Sequence, residues 1–65
     1  MKRKNLEKFL ALHGCYLVRE GRSHSIFGNQ NNRNKSPVPR HNEVDNYLVK
    51  KICRDLGIPV PKKYN

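Results

Sequence analysis

The chain has 65 residues, a formal net charge of +9 and a mean hydropathy of −0.92. A chain of this length buries only roughly 60% of the surface its unfolded form exposes, which allows one modest core and excludes a second domain. Fourteen Lys and Arg against five Asp and Glu create a field that attracts nucleic acid, anionic membrane or an acidic protein, while no apolar stretch has the length of a membrane span or of a secretory signal.

Residues 5–13 read as a helix. Leu6, Phe9, Leu10 and His13 fall at i, i+3, i+4 and i+7 on one face. Asn5 is the expected N-cap and Gly14 the left-handed residue that ends the helix. Residues 15–20, CYLVRE, are rich in strand formers and too short for another helix. Gly21 and Arg22 form a tight turn into a second strand over 23–27, SHSIF. The polar segment 28–34, GNQNNRN, carries strong turn chemistry. Residues 35–40, KSPVPR, are extended. Their two prolines cannot donate ladder hydrogen bonds, so this third strand belongs at a sheet edge.

A second helix opens at Asn42, capped by it, with Asp45 in a capping-box-like place. Val44, Leu48, Ile52 and Leu56 form its buried stripe, widened by Val49 and Cys53. Gly57 ends it and Pro59 follows. Residues 1–58 read as a single domain and 59–65 as a frayed basic tail. The order is α-β-β-β-α, an α+β fold with a three-stranded antiparallel sheet and both helices on one face. This is the layout of a double-stranded-RNA-binding domain, which reads nucleic acid by shape and backbone contacts.

Neither cysteine has zinc-site spacing. Cys15 and Cys53 read as reduced, small apolar residues of a cytoplasmic protein.

His24 is the residue of chemical interest. Side chains alternate along a strand, so His24 shares a face with Ile26, and Phe27 shares the other with Ser23 and Ser25. If Phe27 enters the core, His24 points to the open face; if Ile26 does, His24 faces the helices. On the open face His24 is a titratable group on a basic surface, with Arg19, Arg22 and Arg40 able to lie near it. Imidazole takes and gives protons near neutral pH. RNA carries its own nucleophile in the 2′-hydroxyl, which a positioned base can activate while cations stabilise the phosphoryl oxygens. That route needs no metal or other cofactor. The alternative is a surface histidine that contacts phosphate without chemistry, in a non-catalytic RNA-binding module of the same fold. A peripheral membrane anchor fits poorly, because the helices lack interfacial aromatics.

Three short elements in order carry a family resemblance: Gly21-Arg22-Ser23-His24-Ser25-Ile26-Phe27, Val38-Pro39-Arg40-His41, and the helix end Leu56-Gly57-Ile58. Over residues 4–58 the chain resembles the HicA, or YcfA-like, toxin family. That family carries a Gly-Ser-His-His or Gly-Ser-Asn-His element entering the second strand, then an aromatic. Here Arg22 stands between Gly21 and Ser23, and Ser25 takes the place of the frequent second histidine. The resemblance implies a metal-independent ribonuclease acting on messenger RNA, the toxin half of a pair inhibited by a HicB-like antitoxin, with His24 as the catalytic histidine. Arg19, Arg22, Ser23, Lys35, Arg40 and His41 are the candidate RNA-contacting residues. His41 is also a candidate complementary acid beside the second helix, Ser23 and Ser25 are candidates to orient the imidazole, and His13 reads as structural.

Overall fold

The computed structural model describes residues 1–64; Asn65, the end of the expected tail, lies outside the described residues. The elements are α1 (Arg3–Leu12), β1 (Cys15–Glu20), β2 (His24–Asn29), β3 (Lys35–Pro39), α2 (Asn46–Leu56) and a short 3-10 turn (Lys62–Tyr64). The strands form one antiparallel sheet in the order β1-β2-β3. The fold is therefore the expected α+β architecture with β3 at an edge.

The core lies on one face of the sheet. Leu6 and Leu10 of α1 and Val49, Ile52, Cys53 and Leu56 of α2 meet Cys15, Phe27 and Val38 of the strands, all nearly sealed from solvent. Phe27 is the inward residue of β2 and Ile26 is only half-buried, which puts His24 on the open face. Three polar side chains, Ser25, Asn29 and Ser36, are buried among the apolar ones. Among the described residues no buried side-chain nitrogen or oxygen lacks a hydrogen-bond partner, as a low-dielectric interior demands.

Both helices start away from their expected positions, for one reason. Backbone bonds tie residues 1–3 to residues 42–44: Arg3 N–H donates to the Asn42 carbonyl (2.8 Å) and Val44 N–H to the Met1 carbonyl (2.8 Å). Helix α1 therefore begins at Arg3, two residues before the expected start, and Lys2 precedes it with no side-chain cap. The tertiary bond from Arg3 N–H supplies a partner that Asn5 is not needed to provide. The same pairing, with Lys2 bridging to Glu43, keeps residues 42–44 out of the helix, so α2 starts at Asn46 and not at Asn42. Asp45 is its true N-cap, accepting from Leu48 N–H at 2.8 Å. Val44 is buried, but outside the helix.

The α1–β1 turn and the α2 C-terminus follow expectation: Gly14 and Gly57 have φ of 80° and 71°, where a side chain is strained. The polar segment after β2 is shorter than expected, because Gly28 and Asn29 continue the strand. Its asparagines also act at a distance. Asn29 Nδ2 (2.8 Å) and Asn32 Nδ2 (3.1 Å) both donate to the Leu56 carbonyl, satisfying a last-turn acceptor of α2.

A β-bulge shapes β1. The register shifts between Leu17 and Arg19, so Leu17 faces Phe27 while Arg19 faces Ile26. The extra residue, Val18, turns Arg19 to the open face and Glu20 to the core side. Beyond α2, Ile58 is buried and Val60 packs against the core. Among the described residues no helix is long and apolar enough to cross a membrane.

Candidate active site

His24 is the first residue of β2 and lies opposite Pro39. The turn before it is closed by Gly21 N–H donating to the His24 carbonyl at 2.7 Å. A Cβ on Gly21 would come within 2.8 Å of that same oxygen. Glycine is thus required by close approach, and this approach fixes where the strand, and His24 with it, begins.

Behind the turn runs a polar network. Arg3 Nη2 donates to Ser25 Oγ (2.8 Å), which donates to Glu20 Oε1 (2.7 Å). Arg3 also donates to the Pro39 carbonyl (3.0 Å) and pairs with Glu7 (2.6 Å). Arg40 Nη2 donates to Glu20 Oε1 (3.0 Å) and to the Gly21 carbonyl. The Ser25 hydroxyl, helped by Arg40, holds the Glu20 carboxyl below its ordinary range. These bonds clamp the β1–β2 turn to α1 and to the end of β3. Ser25 consequently does not orient the imidazole: it faces the core side, opposite to His24, because residues 24 and 25 alternate across the sheet.

His24 itself lines a groove of about 150 Å³ at the β3 edge. Strand β3 contributes Ser36, Pro37 and Pro39, and α2 contributes Leu48, Lys51, Ile52 and Asp55. Lys51 Nζ and Asp55 Oδ2 are paired at 3.1 Å. The groove thus brings together an exposed imidazole, a cation and a carboxylate on apolar walls. Lys51 and Asp55 carry no motif in the sequence that marks them for this site. Their i,i+4 pairing beside the apolar stripe of α2 was the one available signal.

The other sequence candidates are more dispersed. Arg19 and Lys35 are exposed on the open face, opposite Ile26 and Gly28. Arg22 and Ser23 are exposed in the turn, Ser23 lying just outside the strand. Arg40 is half-exposed and engaged with the turn. His41 is exposed, but α2 begins five residues further on, so the expected place beside that helix's N-terminus is not where it lies. His13 is the C-cap of α1, its ring 4.6 Å from that of Phe9. Cys15 and Cys53 are buried free thiols; burial, with a contribution from Cys15, pushes the Cys53 thiol up to about 11, far from a nucleophilic thiolate at neutral pH. Among the described residues no three His, Cys, Asp or Glu side chains gather where a metal ion could be held.

The family model for the HicA toxin of bacterial toxin-antitoxin systems matches residues 3–58. The chain belongs to the HicA toxin family. No curated protein and no solved structure matches it. The matched span of this HicA-family chain runs from the first residue of α1 to Ile58, just past α2. It includes the turn, the Arg3–Ser25–Glu20–Arg40 network and every residue lining the His24 groove.

Proposed function

We propose that this HicA-family toxin is a metal-independent endoribonuclease that cuts messenger RNA with His24 as its proton-transfer residue. The observation that carries the reading is the position of His24, exposed at the mouth of a groove that also holds Lys51 and Asp55. Neutral imidazole takes the proton of a 2′-hydroxyl. The O2′ attacks the adjacent phosphorus, the bond to the 5′-oxygen breaks, and that oxygen leaves with a proton from water. The products are a 2′,3′-cyclic phosphate and a 5′-hydroxyl. Lys51 is placed to offset charge on the phosphoryl oxygens, and Asp55 holds Lys51 at the groove. Exposed Arg19, Arg22, Ser23, Lys35 and His41 contact the flanking RNA backbone, whose binding releases counterions. Arg40 acts chiefly by bracing the turn.

A toxin of this kind works against an antitoxin, and the charge of +9 favours an acidic, HicB-like one. The open face offers it Tyr16 and Val18, both exposed, between Arg19 and Lys35. A standard interface covers roughly 800 Å² per partner, about a sixth of the 4598 Å² surface. That suffices to cover the open face with His24 at its border.

The test is chemical. RNA with a single 2′-deoxy substitution at the cut site is expected to resist cleavage there, with or without a chelator, and intact RNA to yield cyclic phosphate ends. Cleavage at the deoxy position, or 5′-phosphate products, would contradict the mechanism.

A further inference from the structure

Helix α2 has a second face that the core does not use and that meets the His24 groove only at Lys51. Tyr47, Lys50, Lys51 and Arg54 recur at i, i+3, i+4 and i+7, opposite the buried Val49, Ile52, Cys53 and Leu56. Three cations on a helix are ordinarily a solvated surface. Tyr47 is what sets this face apart: a large aromatic ring left 77% exposed, on the same stripe as the cations. These four side chains and Asp55, all of α2, leave a groove of about 330 Å³ between them. Lys51 and Asp55 line both this groove and the one that holds His24. The two grooves therefore lie on either side of a shared wall, the Lys51–Asp55 pair.

From the exposed ring, the cations beside it and their adjacency to the His24 groove we infer that the outer face of α2 is a track for single-stranded RNA, with Tyr47 stacking on one base and Lys50, Lys51 and Arg54 meeting successive phosphates. Tyr47 to Arg54 spans roughly 10 Å along the helix, about three stacked nucleotides at ~3.4 Å each. An aromatic platform beside a cationic groove is how proteins hold single strands without reading their sequence. A membrane is the poorer ligand, because α2 turns its apolar stripe into the core and has none left to insert. The inference rests on the reading of His24 as the point of cleavage, to which the track would lead the strand.

The test measures binding without cleavage. The His24→Ala protein is titrated against a fluorescein-labelled single-stranded RNA 12-mer by anisotropy, at several salt concentrations. Adding Tyr47→Ala is expected to weaken binding roughly tenfold, the scale of one lost base stack, with the salt dependence unchanged. Tyr47→Phe keeps the ring and is expected to bind as the parent does. Lys50→Ala and Arg54→Ala are each expected to flatten the log–log salt slope by about 0.7. Parent-like affinity in Tyr47→Ala overturns the inference, the more pointedly if the same change weakens antitoxin binding and so marks a protein interface. Tyr47→Phe as weak as Tyr47→Ala also overturns it, since a hydroxyl contact would then replace stacking. RNA binding by the parent with Tyr47 indifferent leaves the ribonuclease reading standing. A parent that binds no RNA removes both.

Discussion

The two edges of the sheet are built from different chemistry. Along β3, Pro37 and Pro39 remove two backbone donors, so that edge is a poor template for another strand. It borders α2 across a groove that holds His24, Lys51 and Asp55. Along β1 there is no proline, and Tyr16, Leu17 and Val18 are exposed in succession, the bulge keeping Val18 and Arg19 together on the open face. One edge presents an imidazole and a Lys51–Asp55 ion pair on apolar walls; the other presents apolar area of the kind that protein partners cover. Under the proposed function, the chain must both act on RNA and be silenced by a protein. On that reading the two tasks are divided between edges, with His24 near the border, where a partner on the β1 side would reach the proposed catalytic residue.

The sharpest contrast is expected at the histidine. His24→Ala should lower cleavage by about 10²–10⁴-fold in single-turnover assays while its stability stays within ~0.5 kcal/mol of wild type. Val18→Ala should leave the rate unchanged. A folded His24→Ala protein of undiminished activity would erase the distinction between the edges.

The reverse contrast is expected for the partner. Val18→Asp places a carboxylate on the exposed apolar patch that an acidic antitoxin would cover. It should weaken antitoxin affinity about tenfold or more, as loss of a central contact does, with RNA cleavage intact. Calorimetric titration against the antitoxin checks the first effect and the cleavage assay the second.

Two glycines sharpen the comparison further. A Cβ at Gly21 would meet the His24 backbone oxygen at 2.8 Å, whereas the close contact of one at Gly28 would be with a side-chain end, Val18 Cγ2 at 2.9 Å, the Asn34 carbonyl lying at an ordinary 3.6 Å. Backbone yields less readily than a side-chain terminus. Gly21→Ala should cost about 1–3 kcal/mol and slow cleavage, and Gly28→Ala should cost less and leave cleavage alone. Urea unfolding with activity measured in parallel separates the two.

The smallest effect concerns acid. The Glu20 carboxyl is held low in the folded protein by Ser25 and then Arg40. The unfolded chain therefore binds a proton here at higher pH than the folded one. The resulting stability is present above the ordinary value of 4.5 and is lost as pH falls below it. Ser25→Ala removes the first of these causes and should flatten that acid limb of a urea-midpoint profile. A profile as steep as that of wild type would place the acid sensitivity elsewhere.

What the sequence makes legible here is local. The apolar spacing of Leu6 and Leu10, and of Val49, Ile52 and Leu56, specifies two amphipathic helices, and Gly14 and Gly57 mark their ends. The size of Phe27 relative to Ile26 sends the aromatic ring inward and His24 outward. The missed features arise from contacts between distant residues. The pairing of Met1–Arg3 with Asn42–Val44 spans about forty residues and moves both helix starts, so that Asp45, expected in a capping-box-like place inside the helix, is its N-cap. The bulge at Val18 depends on how β1 meets β2. Lys51 and Asp55 look like an ordinary helix-surface pair until packing lays α2 against β3 and the groove between them reaches His24.

The proposed function places the cleaved stretch of RNA at the β3–α2 edge and not over the Tyr16–Val18 patch of β1. It is tested most directly by amide chemical-shift mapping of the wild-type protein with a non-cleavable RNA, 2′-O-methylated throughout. The largest shifts are expected at His24, Ser36, Lys51, Ile52 and Asp55, with Tyr16, Leu17 and Val18 little changed. Shifts confined to β1 and to the Ile26 region of β2, with the groove residues silent, would contradict the account.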